Sequence, residues 1–149
     1  MKKLVLSALA VVSLAASAVE VGVTAVDQSS LSPKRYGYGV TVGETFAGVN
    51  VTAGASRFSR EDNDQNRYTL VASKDVVSLG PVGFNGRLGT AYLSNNTGAN
   101  GFALTAGVGA TVPVMKNVTA GLSFDRQFGQ SRVSSFDGNI ITAGIKVGF

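Results

Sequence analysis

The densest group of potential acids is Glu61, Asp62 and Asp64, in the stretch SREDNDQN at 59–66. Paired carboxylates can serve as acid and base on a glycosidic bond, and such a cluster can hold Ca2+ or Mg2+ weakly. Interleaved here with Arg60 and Asn63, they read more simply as a solvated loop. Serines are present, but the chain has no histidine and no cysteine. That removes a Ser–His nucleophile, histidine-assisted acyl transfer, thiol chemistry and any disulfide framework. GYGVTVG (37–43) is not a phosphate cradle, because no helix pattern follows it. The expectation is a protein that is not an enzyme and has no cofactor and no metal site.

A second set of residues could recognise phosphate. Lys34, Arg35, Arg57, Arg60, Arg67 and Arg132 lie in or beside polar stretches, and the arginine fork suits bidentate phosphate contacts. The same charges also serve loop solubility, so both readings stand. Nucleic-acid binding is not expected: without Lys2 and Lys3, 11 basic residues face 9 acidic ones.

Those two lysines belong to an apparent leader. MKK precedes the apolar LVLSALAVVSLAASA, and Ala16-Ser17-Ala18 supplies a small-x-small cleavage pattern, which predicts a signal peptide over 1–18. The remaining 131 residues, 19–149, form one domain's length. Sequons at Asn50, Asn95 and Asn117 are accidental in a chain with a bacterial-looking leader. Only 15% of residues are charged, against roughly 25% in an ordinary soluble domain. A chain so poor in charge needs an apolar place for its surface.

The elements that would position all these residues are strands. Period two recurs and no helical stripe appears after the leader. Strands are expected near 19–26, 35–43, 47–58, 82–93, 102–112, 118–128 and 139–149. A less distinct one surrounds Tyr68–Ser73, where Val71 blurs the alternation. Long polar links (27–34, 59–66, 94–101, 129–139) alternate with short ones (43–46, 78–81, 113–117). An up-and-down meander of this kind gathers every long loop at one end.

Closing the meander into an antiparallel barrel leaves two readings. A soluble lipocalin-like barrel has an apolar interior that binds greasy ligands and a charged exterior. A transmembrane barrel turns its apolar stripe to lipid. The polar stripe is Gly, Thr, Ser and Asn, with Glu20, Arg87, Asp125 and Lys146 as its clearest charges. That is too sparse for a solvated face but suits a narrow lumen with balanced charges. Glu20 and Lys146 should meet where the first and last strands close. Arg87 and Asp125 should share mid-height and could meet across the lumen. Tyr36, Tyr38, Tyr68, Tyr92 and Phe102 near the long loops, with Phe84 and Phe149 near the short turns, fit interfacial aromatic belts. A narrow diffusion pore is a further reading, suggested by the many small inward residues.

Leader, meander, loop alternation and the ending NIITAGIKVGF together resemble the small eight-stranded outer-membrane barrels of Gram-negative bacteria: the opacity-type and OmpX/Ail-type proteins and the transmembrane domain of OmpA. The resemblance implies a monomeric, non-enzymatic barrel in the outer membrane, in contact with its lipid and lipopolysaccharide. It also implies chaperone escort through the periplasm and recognition by the outer-membrane insertion machinery. Ile145, Val147 and Phe149 match the family's assembly signal. The long links, of eight to eleven residues, are shorter than the loops of the family's adhesins.

Overall fold

The computed structural model describes residues 19–28, 35–59, 64–96, 98, 100–130 and 137–149. The expected leader, 1–18, lies outside them. Alternating apolar and small polar residues produce eight strands in chain order: β1 (Val19–Gln28), β2 (Arg35–Phe46), β3 (Val49–Phe58), β4 (Gln65–Leu79), β5 (Val82–Asn95), β6 (Asn100–Met115), β7 (Val118–Gly129) and β8 (Gly138–Gly148). Each pairs antiparallel with its sequence neighbours, and β8 returns to β1 to close the barrel. Closure satisfies the ladder of every strand internally, which is what a chain in lipid requires. None of the described residues form a helix long and apolar enough to cross a membrane.

The strands outrun the sequence expectation at both ends. The segments 43–46, 78–81 and 113–117, expected as links, are mostly strand; the turns are Ala47-Gly48, Gly80-Pro81 and Lys116-Asn117. Ala47 (φ 49°) and Gly48 (φ 78°) give the doubly positive turn that matches strand twist. Gly80 is also positive (φ 60°) and precedes Pro81, the order in which a mirror-image type II turn is built. The third turn has no positive φ at either residue, and a bulge between Pro113 and Met115 takes up the difference. A second bulge falls between Asp75 and Val77.

One ladder row fixes the geometry. It runs Phe46, Val49, Lys74, Gly86, Val108, Phe124, Ile141 and Asp27, and returns to β2 at Tyr36, ten residues from its start. An offset of that size tilts the strands steeply. At a tilt of about 45°, Phe46 and Tyr36 stand roughly 25 Å apart in height, as tall as the apolar band of an outer-membrane barrel.

Within that height the outward stripe is apolar. Val23, Val40, Leu70, Leu88, Val108 and Leu122 are each more than half exposed. Tyr36, Tyr38 and Phe102 are exposed at the loop end, and Phe46 and Phe149 at the turn end. Val71, which blurred the pattern of β4, points inward and is buried.

The interior differs between its two halves. Toward the long loops it is filled by Val26, Phe58 and Ile140 in one cluster and Ala91, Leu93 and Ala103 in another. Buried Gln28, Gln65, Arg67 and Gln127 share that half. Toward the short turns a cavity of about 330 Å3 remains, lined among others by Glu20, Asn50, Asn85, Arg87, Thr111 and Lys146.

Candidate functional site: lumen and loop rim

Parity sends Glu20, Arg87, Asp125 and Lys146 into the lumen, and closure of β8 on β1 sets the first contact. Lys146 Nζ donates to Glu20 Oε2 at 3.2 Å, and Asn50 Nδ2 donates to the same oxygen at 3.2 Å. Thr52 Oγ1 in turn donates to Asn50 Oδ1 at 2.7 Å. The carboxylate is thus held by groups from β8 and β3 around the turn end of the lumen.

The second pair forms along the wall rather than across the lumen. Arg87, Gly107 and Asp125 occupy one ladder row on β5, β6 and β7. Arg87 Nε reaches over Gly107 to Asp125 Oδ1 at 3.0 Å. Gly107 makes this possible: a Cβ there would lie 2.4 Å from Asp125 Oδ1 and 2.3 Å from the Phe124 carbonyl oxygen. Ser123 Oγ donates to the other carboxylate oxygen at 3.1 Å, so both oxygens of the buried Asp125 are satisfied. That matters because an unpaired buried carboxylate would be far costlier than a paired one. Both ion pairs lie in or beside the hollow half.

The basic residues grouped as phosphate contacts separate. Arg67 does not reach the outer surface: it is buried, with its Nε donating to Gln127 Oε1 at 3.1 Å. Arg35 shares a ladder pair with the buried Gln28 and donates to Gln65, so it also turns inward at the loop mouth. The physical reason is parity; both residues continue the lumen stripe of their strands. Arg57 does face outward, where it pairs with Asp64. Lys34, Arg60 and Arg132, along with Glu61 and Asp62, lie outside the described residues. Among the described residues no cluster of three His, Cys, Asp or Glu could hold a metal.

Sequence reasoning missed Arg126. It stands on the outward stripe of β7 between Phe124 and Phe128, near the loop end. Its guanidinium lies 5.9 Å from the Phe128 ring centroid and donates to Asn139 Oδ1 at 3.1 Å. The available signal was a cation interrupting an aromatic lipid-facing stripe. The apolar plug was also missed, although Val26, Phe58 and Ile140 have the inward parity of their strands.

No protein-family model matches the chain, and no curated protein matches it. Solved structures do match. The neisserial surface protein NspA superposes with a TM-score of 0.63 at 16% identity, over 89% of this chain and 96% of that one. Ail of Yersinia pestis in a phospholipid bilayer nanodisc gives 0.59 at 13% identity, over 89% of this chain and 99% of its own. A de novo designed transmembrane β-barrel gives 0.58 at 9% identity, over 89% and 96%. The fold is therefore that of the small transmembrane barrels, with short turns at one end and long loops at the other.

Proposed function

We propose that this barrel is a non-enzymatic, monomeric protein of the bacterial outer membrane that contributes to envelope integrity and surface properties. The observation that carries this reading is the apolar belt of about 25 Å around a polar, partly filled interior. A lipocalin-like binder needs the reverse polarity, with charge outside and an apolar cavity inside. The wall facing the hollow half instead carries Glu20, Asn50, Asn85, Arg87 and Lys146. A protein of this kind should need detergent to stay in solution and should migrate faster on a gel before boiling than after. Solubility without detergent would overturn the proposal.

At the loop end, lipopolysaccharide is the proposed contact, through Arg57 and Arg126 rather than Arg35 or Arg67. Arg57 pairs with Tyr38 and Arg126 lies against Phe128, both toward the loop end, where phosphate groups of the outer leaflet are within reach. Lys34, Arg60 and Arg132 remain in the proposal on their sequence positions alone. Adhesion through the loops is a second use of the same surface, tested by deleting 129–138 and measuring binding to cells.

Assembly by the insertion machinery after chaperone escort is likewise proposed. Ile145 and Val147 face outward on β8, and Phe149 is exposed beyond it. Deleting Phe149 should reduce insertion far more than Thr142→Ala does, measured as folded barrel in outer-membrane fractions. Equal insertion would remove these residues as an assembly signal.

A further inference from the structure

The lipid-facing stripe carries a cation near its lower edge. Lys74 pairs with Val49 and Gly86 in the row that starts at Phe46. Its position on that row turns its side chain outward, and it is exposed. Two ladder steps on tilted strands place it only about 6 Å above Phe46. Apolar residues lie on both sides of it along β4: Leu70 and Ala72 toward the loops, Val76, Val77 and Leu79 toward the turn. A lysine so placed can bury its stem along the barrel and bring its ammonium to the headgroup level.

Beside Lys74 the outer wall is indented. A groove of about 460 Å3 is lined chiefly by Val49, Ala72, Lys74, Gly86, Leu88 and Ala106. Small side chains at Ala72, Gly86 and Ala106 form its floor, and the larger Val49 and Leu88 flank it. No carboxylate among the described residues is within ion-pair distance of Lys74. Glu44, an outward acid of the same rim, is separated from it by β3: its ladder partner Val51 pairs with Ala72, which sets the strands about 10 Å apart.

We propose that Lys74 and this groove bind one glycerophospholipid of the periplasmic leaflet. The ammonium meets the phosphodiester, and an acyl chain lies over Ala72, Gly86 and Ala106. Charge complementarity and position select this occupant: the groove opens on lipid, and the cation lies where that leaflet's phosphates begin. The same argument favours phosphatidylglycerol over phosphatidylethanolamine, whose own ammonium competes with Lys74 for the phosphate.

Native mass spectrometry of the refolded barrel, titrated with each lipid, tests the site. Wild type should retain one phosphatidylglycerol, and Lys74→Arg should behave alike. Lys74→Gln should bind roughly fivefold more weakly, as expected for loss of one cation at a phosphate surface. Ala106→Leu, which fills the groove and keeps the charge, should weaken both lipids. Gel mobility before and after boiling shows whether each variant is folded. Unchanged lipid retention in Lys74→Gln or in Ala106→Leu would overturn the proposal, as would displacement of the lipid by inorganic phosphate. Lipopolysaccharide binding, assigned to the loop end, should not change in Lys74→Gln; Ala106→Leu is not used for that comparison, because Ala106 pairs with Arg126.

Discussion

Asp125 is the residue on which the interior charge arrangement depends. Its two oxygens take bonds from Arg87 and Ser123, so Asp125→Ala should strand the guanidinium of Arg87. The expected loss is about 2–3 kcal/mol, below the full cost of a severed buried pair because Arg87 borders the cavity. Denaturant unfolding in micelles would measure it, and Arg87→Met combined with Asp125→Leu should lose less than the single change. Gly107→Val should be worse than either, since no side chain can move the Phe124 carbonyl out of its way. The inward orientation of all four lumen charges was legible as alternation. That Arg87 and Asp125 would be neighbours along the wall was not, because their contact depends on a register and a missing Cβ. Arg35 and Arg67 show the converse. Arg67 looks like a loop residue until its strand is extended to Gln65, at which point parity turns it inward; Arg35 already opened its expected strand, and its parity with the lumen stripe was overlooked.

At the level of elements, the strands were readable and their limits were not. Gly43, Glu44, Thr45 and Phe46 resemble a link by composition, yet all four pair within the barrel wall. Hydrogen bonding to two neighbours overrides the weak strand preference of glycine and glutamate. The fourth strand was obscured because Val71 places a buried apolar side chain inward, where a polar residue was expected. The turns carry a separate prediction. Ala47 adopts positive φ without being glycine, a conformation that costs an L-residue about 1–2 kcal/mol. Ala47→Gly or Ala47→Asn should recover roughly 0.5–1 kcal/mol, seen as a higher unfolding midpoint. Gly80→Ala should do the opposite by a similar amount.

For the molecule as a whole, eight strands enclose a space that side chains can nearly fill, and here they fill it unevenly. The plug of Val26, Phe58 and Ile140 argues against a steady diffusion path. Single-channel recordings should therefore show no conductance in wild type, and Phe58→Ala with Ile140→Ala should introduce one. Stable conductance in wild type would restore the pore reading. The architecture itself was legible from loop alternation and from a charged fraction well below that of an ordinary soluble domain. The plug was illegible for a related reason. A buried interior and a lipid exterior both accept valine, isoleucine and phenylalanine, so hydrophobicity alone does not say which way such a residue faces.

The hollow half leaves its mark on time as well as on space. Amides of β1, β3 and β8 that border the cavity face open space inside, whereas those around Leu93 and Ile140 back onto packed side chains. Deuterium should therefore enter the barrel wall as a gradient, fast beside Glu20, Asn50 and Lys146 and slow near the loops. If exchange were slowest at the turn end, the cavity would not be a reservoir of solvent. With the expected gradient, the same cylinder of hydrogen bonds would open locally at one end while its other end stays shut.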